Sequence, residues 1–109
     1  MAELAGSVVY RQRIAPPPGA LVEVAIADVS SSETPALIIA RTEIVARGQH
    51  VPLPFTVAYD EAAIEPGHRY AAQVRVTVGG RLRWVNDGAV PVLSGGPTQG
   101  IVVVVAPVR

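Results

Sequence analysis

The segment Ile64-Glu65-Pro66-Gly67-His68-Arg69-Tyr70 runs straight into an alternating stretch, Ala72, Val74, Val76 and Val78. An apolar residue, a proline two positions on and a tyrosine four further on, at the entry to a strand, form the pattern of a tyrosine corner. There the phenol bonds back to the backbone a few residues upstream and pins a crossover between two sheets. Pro66 and Tyr70 are therefore read as structural residues. The pattern argues for an all-β fold and carries no chemistry of its own.

The rest of the chain supplies strands to match. Strand one, about Leu4 to Arg13, places Leu4, Val8 and Tyr10 on one face and Ser7, Arg11 and Arg13 on the other. It stops at Pro16-Pro17-Pro18-Gly19, a stiff polyproline connection with a turn residue. Strand two, about Ala20 to Asp28, turns Val22, Val24 and Ile26 inward and Glu23 and Ala25 outward, and Ser30 to Pro35 is a loop. Strand three, roughly Leu37 to Val45, is apolar on both faces at its start and polar at Arg41 and Glu43.

In strand four, Val51, Leu53, Phe55, Val57 and Tyr59 alternate with Pro52, Pro54, Thr56 and Ala58. Residues two apart direct their N–H groups to the same side of a strand. Pro52 and Pro54 thus delete two successive donors on one side, which places this strand at a sheet edge. Asp60 to Ile64 has room for one helical turn at most.

Strands five and six flank Gly79-Gly80. A two-residue loop in plain register pairs Val76 with Arg83 and turns arginines toward the apolar face. A three-residue loop, Val78-Gly79-Gly80, pairs Val76 with Leu82 and Val74 with Trp84 and sends Arg75, Arg81 and Arg83 outward. Because a one-residue slip exchanges the faces, the three-residue form is expected, with Gly80 left-handed and Trp84 a structural core residue. Asn86-Asp87-Gly88 ends strand six or bends it toward Val90–Leu93. Gly95-Gly96-Pro97 is a loop, and Gly100 to Ala106 is the last strand.

Turn signals at roughly 8–12-residue spacing predict an all-β domain over residues 1–109. The expected form is a seven- to eight-stranded antiparallel Greek-key β-sandwich, immunoglobulin-like, around an aliphatic core. A chain of 109 residues buries about two-thirds of the surface its unfolded form exposes.

Composition narrows function mainly by exclusion. Nine basic and nine acidic residues leave no net charge, and a nucleic-acid binder needs a basic face to displace counterions. No cysteine is present, so disulfides, thiol chemistry and cysteine–zinc sites are ruled out. His50 and His68 lack a third ligand, and Asp60, Glu61 and Glu65 match no calcium loop. Ser30, Ser31 and Ser32 lack a base and an oxyanion motif. The chain is accordingly expected to be no enzyme and to hold neither cofactor nor metal.

Two surfaces stand out as partner-binding candidates. Arg75, Arg81 and Arg83 would share an exposed face suited to an anionic partner. In the last strand, Ile101 to Val105 is apolar on both faces, so Val102 and Val104 would meet another chain through the strand's outer face or edge. A second copy of this chain is one candidate occupant. The alternative function is a small-ligand or glycan-binding module with Trp84 and Tyr59 as a stacking platform.

An ordered set of motifs spans about Leu4 to Val105. It comprises Tyr10 to Ala15, Pro17-Pro18-Gly19-Ala20, Asp28-Val29-Ser30, Gly48 to Phe55, Tyr59-Asp60, Ile64 to Tyr70, Gly80-Arg81-Leu82 and Pro91-Val92-Leu93. Together they resemble the YbaY/YscW family of Gram-negative envelope lipoproteins. The resemblance implies a periplasmic β-sandwich tethered by lipid to the outer membrane, one branch of the family serving as pilot or chaperone for the secretin ring of type III secretion. It implies a protein partner, secretin-like in that branch, and no catalytic residues. The N-terminus has neither a charged n-region nor an apolar h-region, and no lipidation cysteine. Membrane contact would therefore be only through an anchor absent from this sequence. Residence is periplasmic if a leader was removed and cytoplasmic otherwise.

Overall fold

The structure, a computed structural model, describes residues 2–12, 18–31, 33–47, 52–93 and 97–108. The readings made at Arg13, Pro16, Pro17, Ser32, His50, Val51, Gly95 and Gly96 lie outside those residues. Apolar alternation produces strands β1 (Ala2–Tyr10), β2 (Leu21–Asp28), β3 (Leu37–Val45), β4 (Leu53–Tyr59), β5 (Tyr70–Val78), β6 (Arg81–Asn86), β7 (Pro91–Val92) and β8 (Ile101–Pro107). One 3-10 turn, Glu61–Ala63, interrupts them. It sits where a single helical turn was expected, with Asp60 as its N-cap accepting from the Ala62 N–H at 2.9 Å.

All eight strands join one sheet in the order β3-β2-β5-β6-β8-β1-β4, with β7 added against β5. The first and last strands, β1 and β8, pair in parallel; the other pairings are antiparallel. The sheet curls until its end strands β3 and β4 approach one another, although no ladder joins them among the described residues. This corrects the expected antiparallel Greek-key, immunoglobulin-like sandwich to a single mixed sheet nearly closed into a barrel. The reason lies at β8, which hydrogen-bonds to β6 on one side and β1 on the other. What would be two layers are two halves of one continuous ladder.

The concave face is aliphatic. Leu4, Val8, Val22, Val24, Ile26, Val57, Val74, Val76, Val103 and Val105 are fully buried, each contributing roughly 1.5–3 kcal/mol of transfer free energy. Ala25 was expected outward yet is buried. Its short side chain lies between Arg41 and Gln73, which stand directly opposite it on β3 and β5.

The tyrosine corner forms. Tyr70 is buried, and its hydroxyl accepts from the Glu65 N–H at 2.8 Å. Among the described residues the proline-bearing strand β4 pairs only with β1 and ends the sheet, as expected from Pro52 and Pro54. Its alternation is complete, with Leu53, Phe55, Val57 and Tyr59 buried and Pro54, Thr56 and Ala58 exposed.

The β5–β6 hairpin turns Trp84 inward as expected but by another route, and it sets Leu82, expected opposite Val76, opposite Thr77 instead. Its loop is two residues, Gly79 and Gly80, both at positive φ (58° and 80°), and Val78 pairs with Arg81. The twist of such a turn matches the strands, and glycine accepts it without steric cost. A bulge between Val76 and Thr77 then inserts Arg83 as an extra residue, so that Val76 pairs with Trp84 rather than Leu82. Trp84 is buried as expected. Its indole N–H donates to Gln12 Oε1 at 3.3 Å, and its ring meets Tyr10 edge-on with centroids 5.1 Å apart.

Where β1 meets β8, Gly6 stands opposite Ile101. A Cβ at Gly6 would lie 2.1 Å from the Ile101 carbonyl oxygen, a backbone atom that cannot swing aside. Gly6→Ala should therefore lower stability by about 1–3 kcal/mol, read as a lower urea midpoint, while Ser7→Ala beside it should leave the midpoint nearly unchanged. Tyr70→Phe keeps the ring and removes the corner bond. It should cost about 1 kcal/mol in the same assay, and an unchanged midpoint would show the bond to be idle.

Candidate functional site

Two features of the molecule stand apart from core packing: a polar clasp at the corner, and the outer face of the sheet. The clasp begins at the end of β2. Asp28 accepts from the Ser30 N–H (3.0 Å) and hydroxyl (2.6 Å), a short Asx-type turn. Ser30 Oγ in turn accepts from the Arg69 N–H at 2.7 Å, and the Val29 N–H donates to the Arg69 carbonyl at 2.8 Å. The corner turn is thus sewn to the end of β2.

His68 sits between two carboxylates. Its Nδ1 lies 2.6 Å from Asp28 Oδ2 and its Nε2 3.3 Å from Glu65 Oε2. The hydrogen bond from His68, then those from Ser30, hold the Asp28 carboxyl down to about 2. The Asp28 hydrogen bond, aided by the charges of Asp28 and Glu65, pushes the His68 imidazole above its ordinary value. The donor atoms of Asp28, Glu65 and His68 lie within 4.8 Å of one another, a spacing that could also hold a cation. With both ring nitrogens facing carboxylates, however, the arrangement suits a protonated imidazole bridging two anions.

Sequence reasoning missed this clasp. Glu65 and His68 share one turn, but Asp28 is 40 positions away in sequence from His68, and only the pairing of β2 with β5 brings it there. His50, the other candidate histidine, is outside the described residues. Asp60, weighed with Glu61 and Glu65 as an acidic group, caps the helical turn.

The partner-binding candidates distribute as follows. Arg75, Arg81 and Arg83 are all exposed, but they do not share a single face. Arg75 pairs with Val85 and Arg81 with Val78; Arg75 and Val78 are three apart on β5 and so point to opposite faces. Arg75 also stands opposite Glu23 of β2, while Arg83 lies over the Trp84 ring at 5.8 Å.

The last strand has one edge paired with β1 over residues 101–105 and the other with β6 only over residues 105–107. Its outer face is open: Val102 is 56% exposed and Val104 is half-buried. Val104 stands beside Val9, Val102 beside Ser7, and Ala106 beside Val85. The result is an uncharged, largely apolar patch across β6, β8 and β1. No stacking platform accompanies it: Tyr10, Phe55, Tyr59, Tyr70 and Trp84, which are all the aromatic residues of the chain, are buried. Among the described residues no helix is long and apolar enough to cross a membrane.

The clasp has a pH signature with a determinate sign. His68 is raised when folded, so its contribution is full below its ordinary 6.5 and fades as pH climbs through the raised value. Asp28 is depressed, so its contribution is full above its ordinary 3.8 and fades as pH falls toward about 2. The melting-temperature gap between wild type and His68→Asn should therefore be widest between these two limits and shrink on the alkaline side. A gap that persists unchanged at high pH would mean that His68 acts by packing alone.

Comparison with known proteins places these features in context. A family model described as "Type III secretion system lipoprotein chaperone (YscW)" matches residues 1–104. The uncharacterized lipoprotein YbaY of Escherichia coli (strain K12) is 28% identical over 96 residues, which is 88% of this chain and 50% of that protein. The chain thus spans about half the length of this curated relative. A solved structure of an alternative pilotin from the type II secretion system of Vibrio cholerae is 35% identical, with a TM-score of 0.92 over 99% of this chain and 97% of that one. The family is described as one of chaperones and not of enzymes, and these relatives associate the fold with the envelope; a cytoplasmic residence finds no support among them. With a curled all-β sheet and a match running from the first strand into the last, this chain belongs to the YscW family of lipoprotein chaperones.

Proposed function

We propose that this domain is a pilotin-like assembly chaperone, held at the outer membrane on its periplasmic side, that binds a protein component of a secretion channel. The observation that carries the reading is the pilotin likeness over 99% of the chain at 35% identity, together with the lipoprotein chaperone family. A secretin-like subunit is the partner those names favour. The docking face is the uncharged patch of Val102 and Val104 with Val9, Val85 and Ala106, because an apolar, sheet-borne surface of this kind suits the apolar residues of a protein segment. Arg75 flanks it through Val85 and supplies a positive rim for acidic residues of the partner; Arg81, which points to the opposite face, lies outside that rim. A glycan- or small-ligand-binding role loses its platform with Trp84 and Tyr59 buried.

A photo-crosslinking residue at Val102, compared with one at Gly67 on the far turn, tests this in envelope extracts. Position 102 should yield an adduct with an outer-membrane channel subunit, identified by mass spectrometry, and Val104→Asp should abolish it. Identical adducts from both positions, or none from 102, would refute the assignment.

A further inference from the structure

The two ends of the sheet are guarded differently. β4 carries Pro54, with Pro52 just before it, whereas the nine residues of β3 include no proline and no glycine. Five of those residues are exposed, and no ladder joins the strand to β4 among the described residues. Leu37, Ile38 and Val45 are 66%, 45% and 49% exposed. A long strand with unpaired backbone groups and bare apolar side chains is a template for another strand.

The charges on β3 say which strand. Across the outer face, register sets Glu43, Glu23, Arg75, Val85 and Ala106 in one row. Glu43 and Glu23 are like charges directly opposite, an unfavourable pair. Glu23 has relief from Arg41, whose Nη1 lies 3.8 Å from its Oε2, and from Arg75 opposite. Glu43 forms no ion pair among the described residues, and its far side is the open edge.

We infer that β3 is a self-pairing edge, to which a second copy of this chain adds antiparallel about a two-fold axis through Thr42. That axis brings Arg41 opposite Glu43 of the second copy, twice over, with Ile39 opposite Val45 and Ala40 opposite Ile44. The orphan carboxylate of each row gains its cation. The backbone agrees. The Ala46 N–H donates to the Ala20 carbonyl, so by period two the groups of Ile44 and Thr42 turn to β2, and those of Val45, Glu43 and Arg41 turn to the open edge. Arg41 and Glu43 are therefore the residues that would exchange N–H···O bonds across the axis. An in-register parallel arrangement would set Arg41 on Arg41 and Glu43 on Glu43, so the charges select one geometry. This inference rests on the chemistry of β3 and is independent of the chaperone reading.

Charge reversal tests it. Wild type should sediment as a dimer at high protein concentration. Arg41→Glu and Glu43→Arg, each folded by circular dichroism, should each weaken self-association by roughly tenfold or more through like-charge pairs. An equimolar mixture of the two variants should restore a species of dimer mass, since each supplies the charge the other lacks. A wild type that stays monomeric, reversals that associate as wild type does, or a mixture that stays monomeric would each overturn the proposal. Glu43→Pro, which removes an outward N–H without reversing charge, should also give monomer; if it dimerises like wild type, the edge is not the interface.

Discussion

The first strand and the last run side by side in the same direction, and the absence of a side chain at Gly6 lets them do so. Ile101 approaches there so closely that a single methyl group would meet its carbonyl oxygen. Every other pairing joins strands in opposite directions. Without the β1–β8 contact, no strand ladder among the described residues would join the half carrying β1 and β4 to the half carrying β3, β2, β5 and β6. The aliphatic interior depends on that junction, because Leu4, Val8, Phe55 and Val57 reach the core from strands it holds in place.

Curvature comes from the opposite half. The bulge in β3 opposite Ile26 and Ala27 and the Arg83 bulge in β6 both lie there. Bulges raise local twist and bend the strand that carries them, and a sheet bent at two places can fold back over its own apolar face. The corner bond of Tyr70 and the clasp around His68 then fix the turn at the start of β5 against the end of β2. Packing, bulges and polar stitching act at different points of one ladder.

Much of this was legible in the residues. Alternation located the strands, Ile64 to Tyr70 announced the corner, and Pro52 and Pro54 marked a sheet edge, because each of these is local chemistry. The hairpin shows where local reasoning falls short. The inward facing of Trp84 was inferred correctly, and the facings of Leu82 and Arg81 were not. A shorter loop plus a bulge turns Trp84 inward as well as a longer loop does, and sequence alone does not separate them. The continuous sheet was hidden for a related reason: whether β8 links two halves or belongs to one layer depends on pairings between residues distant in sequence. The Asp28–His68 contact and the row from Glu43 to Ala106 were invisible on the same ground, since both require the register of β2 against its neighbours. Val102 and Val104 could be singled out by composition, but the parallel pairing of their strand with β1 could not.

The contrast between the two ends of the sheet has a bearing on how far association can proceed. Strand-to-strand stacking becomes an open filament when the free margin of one molecule accepts the opposite margin of the next, because each addition leaves a fresh acceptor behind. Here the β4 margin lacks donors where Pro52 and Pro54 stand, so a head-to-tail series has no second half to its joint. The isologous arrangement inferred for β3 consumes both accepting margins at once. Two prolines weigh against growth beyond two by this route, so that in the inferred dimer a strand that would otherwise be an aggregation hazard becomes a terminating one.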